Sequence, residues 1–191
     1  MADGSFRCNW CNVDGVIRNS TFYKSINVDK MIKIKELCFI LLASAFGLGL
    51  MPVAPGSFGA LLGVGIHLAI VRFVSLQNQQ YALIAGLVVV SLVHFMLTPW
   101  AQKHWRESDP GHFVLDEVAG YLVVPLLIRT GPVWFIAVGG FLAFRVIDII
   151  KIPPARQIDQ NIHDAWGILL DDIVSGLYAT GIIWIAIKLL F

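Results

Sequence analysis

The chain has 191 residues, of which 57% are hydrophobic and only 14% charged; an ordinary soluble domain is about a quarter charged. So apolar a composition excludes a disordered, fibrous or nucleic-acid-binding chain and argues against a soluble globular enzyme. The formal net charge of +1 argues against a polyanion as the main partner, so the few charges have to be explained one by one.

Residues 1–36 are polar, mixed in charge and rich in Asn. They read as a poorly ordered N-terminal extension, and Met31 is an alternative start. The first apolar run begins too late for a secretory signal peptide. Cys8 and Cys11 form a lone C-x-x-C; a zinc site wants a second ligand pair, and the nearest His is His67, so the pair reads as inert thiols.

From residue 37 the pattern changes, and 37–191 reads as one membrane-embedded domain. No Asp, Glu, Lys or Arg occurs for 35 residues between Glu36 and Arg72, nor for 30 between Arg72 and Lys103. A bilayer core needs about 20 apolar helical residues, and inside lipid the backbone must satisfy its own hydrogen bonds. Alternation of period two is absent, so helices are expected rather than a barrel. Leu37–Leu50 is short for a crossing, roughly 21 Å as a helix, and ends in Gly47, Gly49 and Pro52. It reads as a re-entrant or interfacial helix returning to the side it came from. Crossings follow at Phe58–Val74, Tyr81–Thr98, Val114–Ile128, Pro132–Ile149 and Leu169–Leu190. The expected fold is an all-α polytopic membrane helix bundle, with about five crossings plus that short helix. Lys24, Lys30, Lys33 and Lys35 precede the first run, which places this side in the cytoplasm by the positive-inside rule.

This parity puts four groups on one face: the loop at 52–59, Asp116-Glu117, the helix end Asp148–Lys151, and Asp171-Asp172. An Asp at a bilayer centre costs about 2.5–3.5 kcal/mol, so acids in such runs are functional candidates. Adjacent acids repel unless water or a cation lies between them, and Mg²⁺ takes one or two carboxylates with waters and phosphate. Blander readings stand beside these. Asp116-Glu117 can be a solvated helix end, and Asp171-Asp172 can cap a helix N-terminus. Arg145, Asp148 and Lys151, at i, i+3 and i+6, can be a salt-bridge ladder. His67 and His94 read as packed side chains, His112 and His163 lie near the acids, and Glu107 reads as solvated. In the loop Met51–Gly59, Ser57 is placed as a helix N-cap. The free backbone N–H groups that follow Pro55, at Gly56, Ser57 and Gly59, suit a phosphate; a plain helix break is the alternative. No Walker A sequence occurs. A phosphate cradle, carboxylates, and the cations Arg145, Lys151 and Arg156 on one face are what a phosphoester site needs. The rival is a membrane cation transporter or channel, whose acids would be spread through the membrane depth.

Four blocks narrow this further: Gly-Leu-Met-Pro-Val-Ala-Pro-Gly-Ser-Phe-Gly (49–59), Val-Leu-Asp-Glu-Val-Ala-Gly (114–120), Phe-Arg-Val-Ile-Asp-Ile-Ile-Lys (144–151) and Gly-Ile-Leu-Leu-Asp-Asp-Ile-Val-Ser-Gly (167–176). In this order they resemble the phosphatidylglycerophosphatase A family. The resemblance implies a Mg²⁺-dependent phosphatase of the bacterial inner membrane, acting on a phospholipid substrate: phosphatidylglycerophosphate becomes phosphatidylglycerol and phosphate. Its motif acids here are Asp116, Glu117, Asp148, Asp171 and Asp172, its motif cations Arg145 and Lys151, and Asp109 also matches. The expected roles are Asp116, Glu117, Asp171 and Asp172 on one or two Mg²⁺, and Asp148 orienting a water or acting as base, pinned by Arg145. Arg145, Lys151 and the Pro55, Gly56, Ser57 and Gly59 backbone are expected on the phosphoryl oxygens. No Cys-x5-Arg or Asp-x-Asp-x-Thr block offers a covalent route. The chain departs from the family at Ile152, which separates Lys151 from Pro153-Pro154, and at Asp164-Ala165, where Gly-Gly is usual. The sequence leaves the oligomeric state open.

Overall fold

The computed structural model describes residues 33–191; the expectations for the N-terminal extension, for Cys8 and Cys11 and for Met31 lie outside the described residues. The second of the chain's two units, Ile40–Phe191, holds the helix bundle. Residues 33–43 are helical (α1). Six further α-helices follow: α2 (Pro55–Phe73), α3 (Gln79–Trp105), α4 (Leu115–Leu127), α5 (Val133–Ile150), α6 (Ala155–Asn161) and α7 (Ala165–Leu190). Among the described residues there is no strand.

The short first run ends as its composition suggests. Ala45, Phe46 and Gly47 all take left-handed φ values of 49°, 62° and 92°, and a 3-10 turn, Leu48–Leu50, follows. Ser44 Oγ donates to Ile40 O at 2.6 Å and accepts from Gly47 N–H at 3.1 Å. Ala43 O accepts from Val114 N–H at 3.2 Å, and Gly49 lies so close to His112 O that a Cβ has no room. Both ends of residues 43–49 therefore rest against residues 112–114.

Helices α2, α3, α5 and α7 are long and apolar enough to cross a membrane. Helix α4, expected as a further crossing, has only 13 residues, about 20 Å at 1.5 Å per residue. It packs against α2, α3, α5 and α7, and Tyr121, Leu122 and Val124 are fully buried. The run 114–128 is apolar because it forms the core of the bundle. Residues facing outward are equally apolar, such as Met96, Val146 and Ile185, while His67, His94, Thr98, Ser175 and four aspartates are buried.

Small residues set the distance at which neighbours approach α4, as they do where helices associate without a hydrophobic driving force. A Cβ on Gly63 of α2 would lie 2.9 Å from Tyr121, and one on Gly140 of α5 would lie 2.9 Å from Val124. On α7, a Cβ at Gly176 would run into the Gly120 carbonyl.

Two helix starts differ from expectation. Helix α2 begins at Pro55, after Ala54 at φ 49° and with no side-chain cap. The proline ring presets the first helical φ and removes an N–H that would be orphaned there. Ser57 is therefore inside the first turn, its N–H on Ala54 O at 2.9 Å, and is not the N-cap. Helix α7 is capped by Asp164, whose Oδ1 accepts from Trp166 and Gly167 N–H at 3.0 Å each. The helix thus starts four residues before the expected Leu169. Asp171 and Asp172 lie well inside it, so they do not cap it.

Candidate metal centre and phosphoester site

The site begins with a spacing. Asp116 stands four residues before Gly120 on α4, and Asp172 four residues before Gly176 on α7. Positions i and i+4 share a helix face. At the glycines the two backbones meet: a Cβ on Gly120 would be 2.8 Å from Asp172 O and 2.7 Å from the Phe144 ring. One turn nearer each N-terminus, the same faces bring Asp116 and Asp172 together, and Glu117 joins them. Each of the three offers an oxygen, all within 4.8 Å of one another. Asp116 is 6% and Asp172 4% exposed. Asp116 Oδ1 and Glu117 Oε2 are buried with no hydrogen-bond partner.

A buried carboxylate oxygen without a donor is costly. Two such oxygens beside a third carboxylate are worse, because the charges repel at low effective dielectric. A hard divalent cation with oxygen ligands answers both costs, so the donor set fits a metal such as Mg²⁺.

The cations come from the end of α5. Arg145 Nη1 donates to Asp148 Oδ2 at 2.6 Å, with both side chains nearly buried, and Arg145 Nε donates to Ser57 Oγ at 3.2 Å. The ladder stops there. Lys151 adopts φ 51° where α5 ends, and its Nζ donates to Asp159 Oδ1 at 2.5 Å and Asp171 Oδ2 at 2.8 Å. Burial works against the Lys151 ammonium, but the two carboxylates outweigh it, and its pKa is raised above that of an ordinary lysine. Asp171 is thus engaged by Lys151 through one oxygen, while its Oδ1 is buried without a partner.

These groups line one cavity of about 220 Å³, walled by Asp109, Asp116, Glu117, Asp148, Lys151, Asp171 and Asp172, with Phe113 and Ile149 on its apolar side. Every expected metal and catalytic residue except Arg145 lines it. Pro55, Gly56, Ser57 and Gly59 do not. Glu117 Oε1 sits where a Gly56 Cβ would be, with Arg145 Nη2 2.9 Å from that point, and a Gly59 Cβ would be 2.8 Å from Val114 O. The loop glycines admit Glu117, Arg145 and Val114 at close range, and Ser57 N–H is taken by Ala54 O. Arg156 is exposed and also lies outside the cavity lining.

His67 and His94 are packed side chains, as expected. His67 Nδ1 pairs with Tyr121 OH at 3.1 Å, and His94 Nε2 donates to Ala165 O at 2.9 Å. His112 Nδ1 donates to Gly49 O at 3.0 Å, and His163 offers its carbonyl to Gln102 Nε2 at 2.9 Å. None lines the cavity. Sequence reasoning gave Asp159 no role, yet it holds Lys151. No local signal marks it, since it is one acid in the polar stretch 155–161.

The sequence profile of the family described as Phosphatidylglycerophosphatase A matches residues 41–187. The chain belongs to this family. Phosphatidylglycerophosphatase A of Escherichia coli is 32% identical over 145 residues, covering 75% of this chain and 80% of that protein. The Haemophilus influenzae protein of the same name is 28% identical over 147 residues, 75% of this chain and 85% of the relative. A Bacteroides thetaiotaomicron protein, provisionally named a phosphatidylinositol-3-phosphatase, is 28% identical over 148 residues, 77% and 92% of the two chains. No solved structure matches. The phosphatidylglycerophosphatase A match spans all six helices from α2 to α7 and every acid that lines the cavity.

Proposed function

We propose that this protein hydrolyses the terminal phosphomonoester of phosphatidylglycerophosphate, releasing phosphatidylglycerol and phosphate, with Mg²⁺ held by Asp116, Glu117 and Asp172. What carries the reading is the meeting of these three carboxylates, two of them with orphaned buried oxygens, in a cavity that also presents the Lys151 ammonium. The family membership and the names of the E. coli and H. influenzae relatives support the substrate.

The bound ion would supply Lewis acidity toward a phosphoryl oxygen and favour ionisation of a water. The protein's own groups do the rest. Lys151 faces the phosphate charge from the cavity wall, and Asp171 and Asp159 hold its ammonium in place and charged. Asp148, fixed by Arg145, accepts the proton of the attacking water as its oxygen bonds to phosphorus. The bond from phosphorus to the glycerol oxygen breaks, and that oxygen takes up a proton from solvent. Gly56 and Ser57 act by positioning, the first by admitting Glu117 and the second by accepting from Arg145 Nε. The substrate lipid enters from the bilayer past the apolar side of the cavity at Ile149.

The protein is placed in the bacterial inner membrane, with 37–191 as its embedded catalytic domain and the acid end toward the cytoplasm. Charge supports this orientation: within residues 55–191, Lys103, Arg106, Arg145, Lys151 and Arg156 lie toward the acid end, and Arg72, Arg129 and Lys188 toward the other, as the positive-inside bias requires. The test is phosphate release from phosphatidylglycerophosphate by the purified full chain. Turnover that disappears with a chelator and returns with Mg²⁺ is the expected result. Turnover indifferent to the chelator would remove the metal, and no phosphate release under any divalent ion would remove the activity.

A further inference from the structure

We propose a second lipid site at the end of the bundle opposite the acids, where Arg129 binds the headgroup phosphate of an anionic membrane phospholipid. A cavity of about 260 Å³ opens there between the end of α2, the start of α3 and the α4–α5 connection. Arg129, Gln79 and Gln80 contribute its polar atoms and His67 lies on its wall, while Leu76, Leu83 and Ile136 are among its apolar lining. Gln79 Nε2 donates to Val71 O at 3.4 Å and Val74 O at 3.2 Å, which fixes the α2–α3 turn on one side of the opening. His67, only 3% exposed, is held by Tyr121 OH. The site is therefore pre-formed.

Charge selects the ligand. Residues 67–83, 121–140 and 176–191, which build this end, contain no Asp or Glu. Their charged side chains are Arg72, Arg129 and Lys188. Arg72 lies over the Phe73 ring at 5.7 Å and Lys188 over Trp184 at 6.0 Å. Arg129 alone of the three has no ring, hydrogen-bond or ion-pair partner among the described residues. A guanidinium at the mouth of a half-apolar cavity matches a phosphate that arrives with an apolar tail, since Arg presents a fork of donors suited to phosphate oxygens. The outward residues beside it, Phe73 at 82% and Leu76 at 88% exposed, offer the surface along which acyl chains would lie. The apolar walls commit the site to a lipid and against free phosphate. The inference rests on the membrane-spanning reading of the helices and not on catalysis at the acid end.

The experiment uses the full chain purified in neutral detergent and follows its thermal unfolding midpoint. Phosphatidylserine, phosphatidylcholine and inorganic phosphate are titrated separately. Phosphatidylserine is expected to raise the midpoint saturably, with at least tenfold weaker apparent affinity in Arg129→Gln and unchanged affinity in Arg72→Gln and Asp116→Asn. Leu83→Trp, which fills the cavity without touching the charge, is expected to abolish the shift as well, and serves if Arg129→Gln does not fold. An equal response in Arg129→Gln or Leu83→Trp and the parent would overturn the site, as would an equal shift with phosphatidylcholine or with phosphate alone. Phosphate release measured on the same preparations separates the two claims, because an inactive protein that still responds to phosphatidylserine loses only the catalytic reading.

Discussion

Two regions of this bundle are built from the same helices and treat buried polarity in opposite ways. Midway along α2 and α4, His67 and Tyr121 satisfy each other at 3.1 Å in a wall of apolar side chains. At the acid end, Asp116 Oδ1, Glu117 Oε2 and Asp171 Oδ1 are as deeply enclosed and have no donor. A polar pair that only holds helices together is complete within the protein. Oxygens left incomplete at a fixed mutual distance cost stability, and they persist where an outside partner completes them. Single buried orphans also occur at His94 Nδ1 and Ser175 Oγ, so what marks the binding site is three orphaned carboxylate oxygens around one cavity.

The sharpest way to break this comparison is Asp172→Asn. Losing one preorganised charged group at a reacting centre costs on the order of 10²–10³ in turnover. Phosphate release should fall at least that far, while the unfolding midpoint of the metal-free protein stays level or rises because one repelling charge is gone. Asp116→Asn should behave alike. A variant that loses stability and keeps its turnover would place these acids on the packing side of the comparison.

The seam that brings the acids together is the next target. Gly176→Leu forces a side chain into the Gly120 carbonyl, and overpacking of this kind typically costs about 1–3 kcal/mol. It should also part Asp116 from Asp172, so turnover should drop further than the midpoint alone explains. Gly86→Leu on α3 is the control, since a Cβ there meets nothing within 4 Å. Equal effects from the two substitutions would mean that the glycine seam does not set the site.

A smaller effect is expected at Asp159, which touches Lys151 and lies outside the cavity lining. Asp159→Asn should lower kcat/KM about tenfold, the low end for a group that orients a ligand-contacting residue, with Mg²⁺ dependence unchanged. A shifted Mg²⁺ requirement would instead put Asp159 among the ligands.

How much of this could be read from sequence follows from which physics is local. Uncharged runs, the Gly-Pro break at 49–56 and the order of the acids are local, and they carry the helical class, the break after residue 43 and the meeting of the acids. Burial is not local. The run 114–128 reads as one more lipid-facing helix because core-facing and lipid-facing helices have the same composition, and only its neighbours mark α4 as interior. Asp171 and Asp172 read as helix-start residues, but Asp164 is the better cap. Its place directly before Ala165 and the apolar run was an available signal. The loop at 55–59 looked like a cradle because its glycines were read for the N–H groups they expose, whereas their use here is to admit Glu117 and Val114. The split of Asp171 toward Lys151 and Asp172 toward the other acids depends on the direction of two neighbouring side chains on one helix, which no spacing rule fixes without knowing what each faces.

The smallest effect belongs to the self-satisfied pair. Tyr121→Phe removes one hydroxyl from a fully buried ring and leaves the packing against Gly63 and Gly140 intact. In water such a bond is worth about 1 kcal/mol, but between membrane helices the measured average is nearer 0.6 kcal/mol, because the separated helices also find partners. The midpoint should therefore fall slightly and phosphate release should stay at the parent level, since Tyr121 reaches neither the acids nor Lys151. A large loss of turnover in Tyr121→Phe would show that the two regions are coupled through α4, whose first turn carries Asp116 and Glu117 and whose second carries Tyr121. The acid end would then owe its geometry to a hydrogen bond more than one helical turn away.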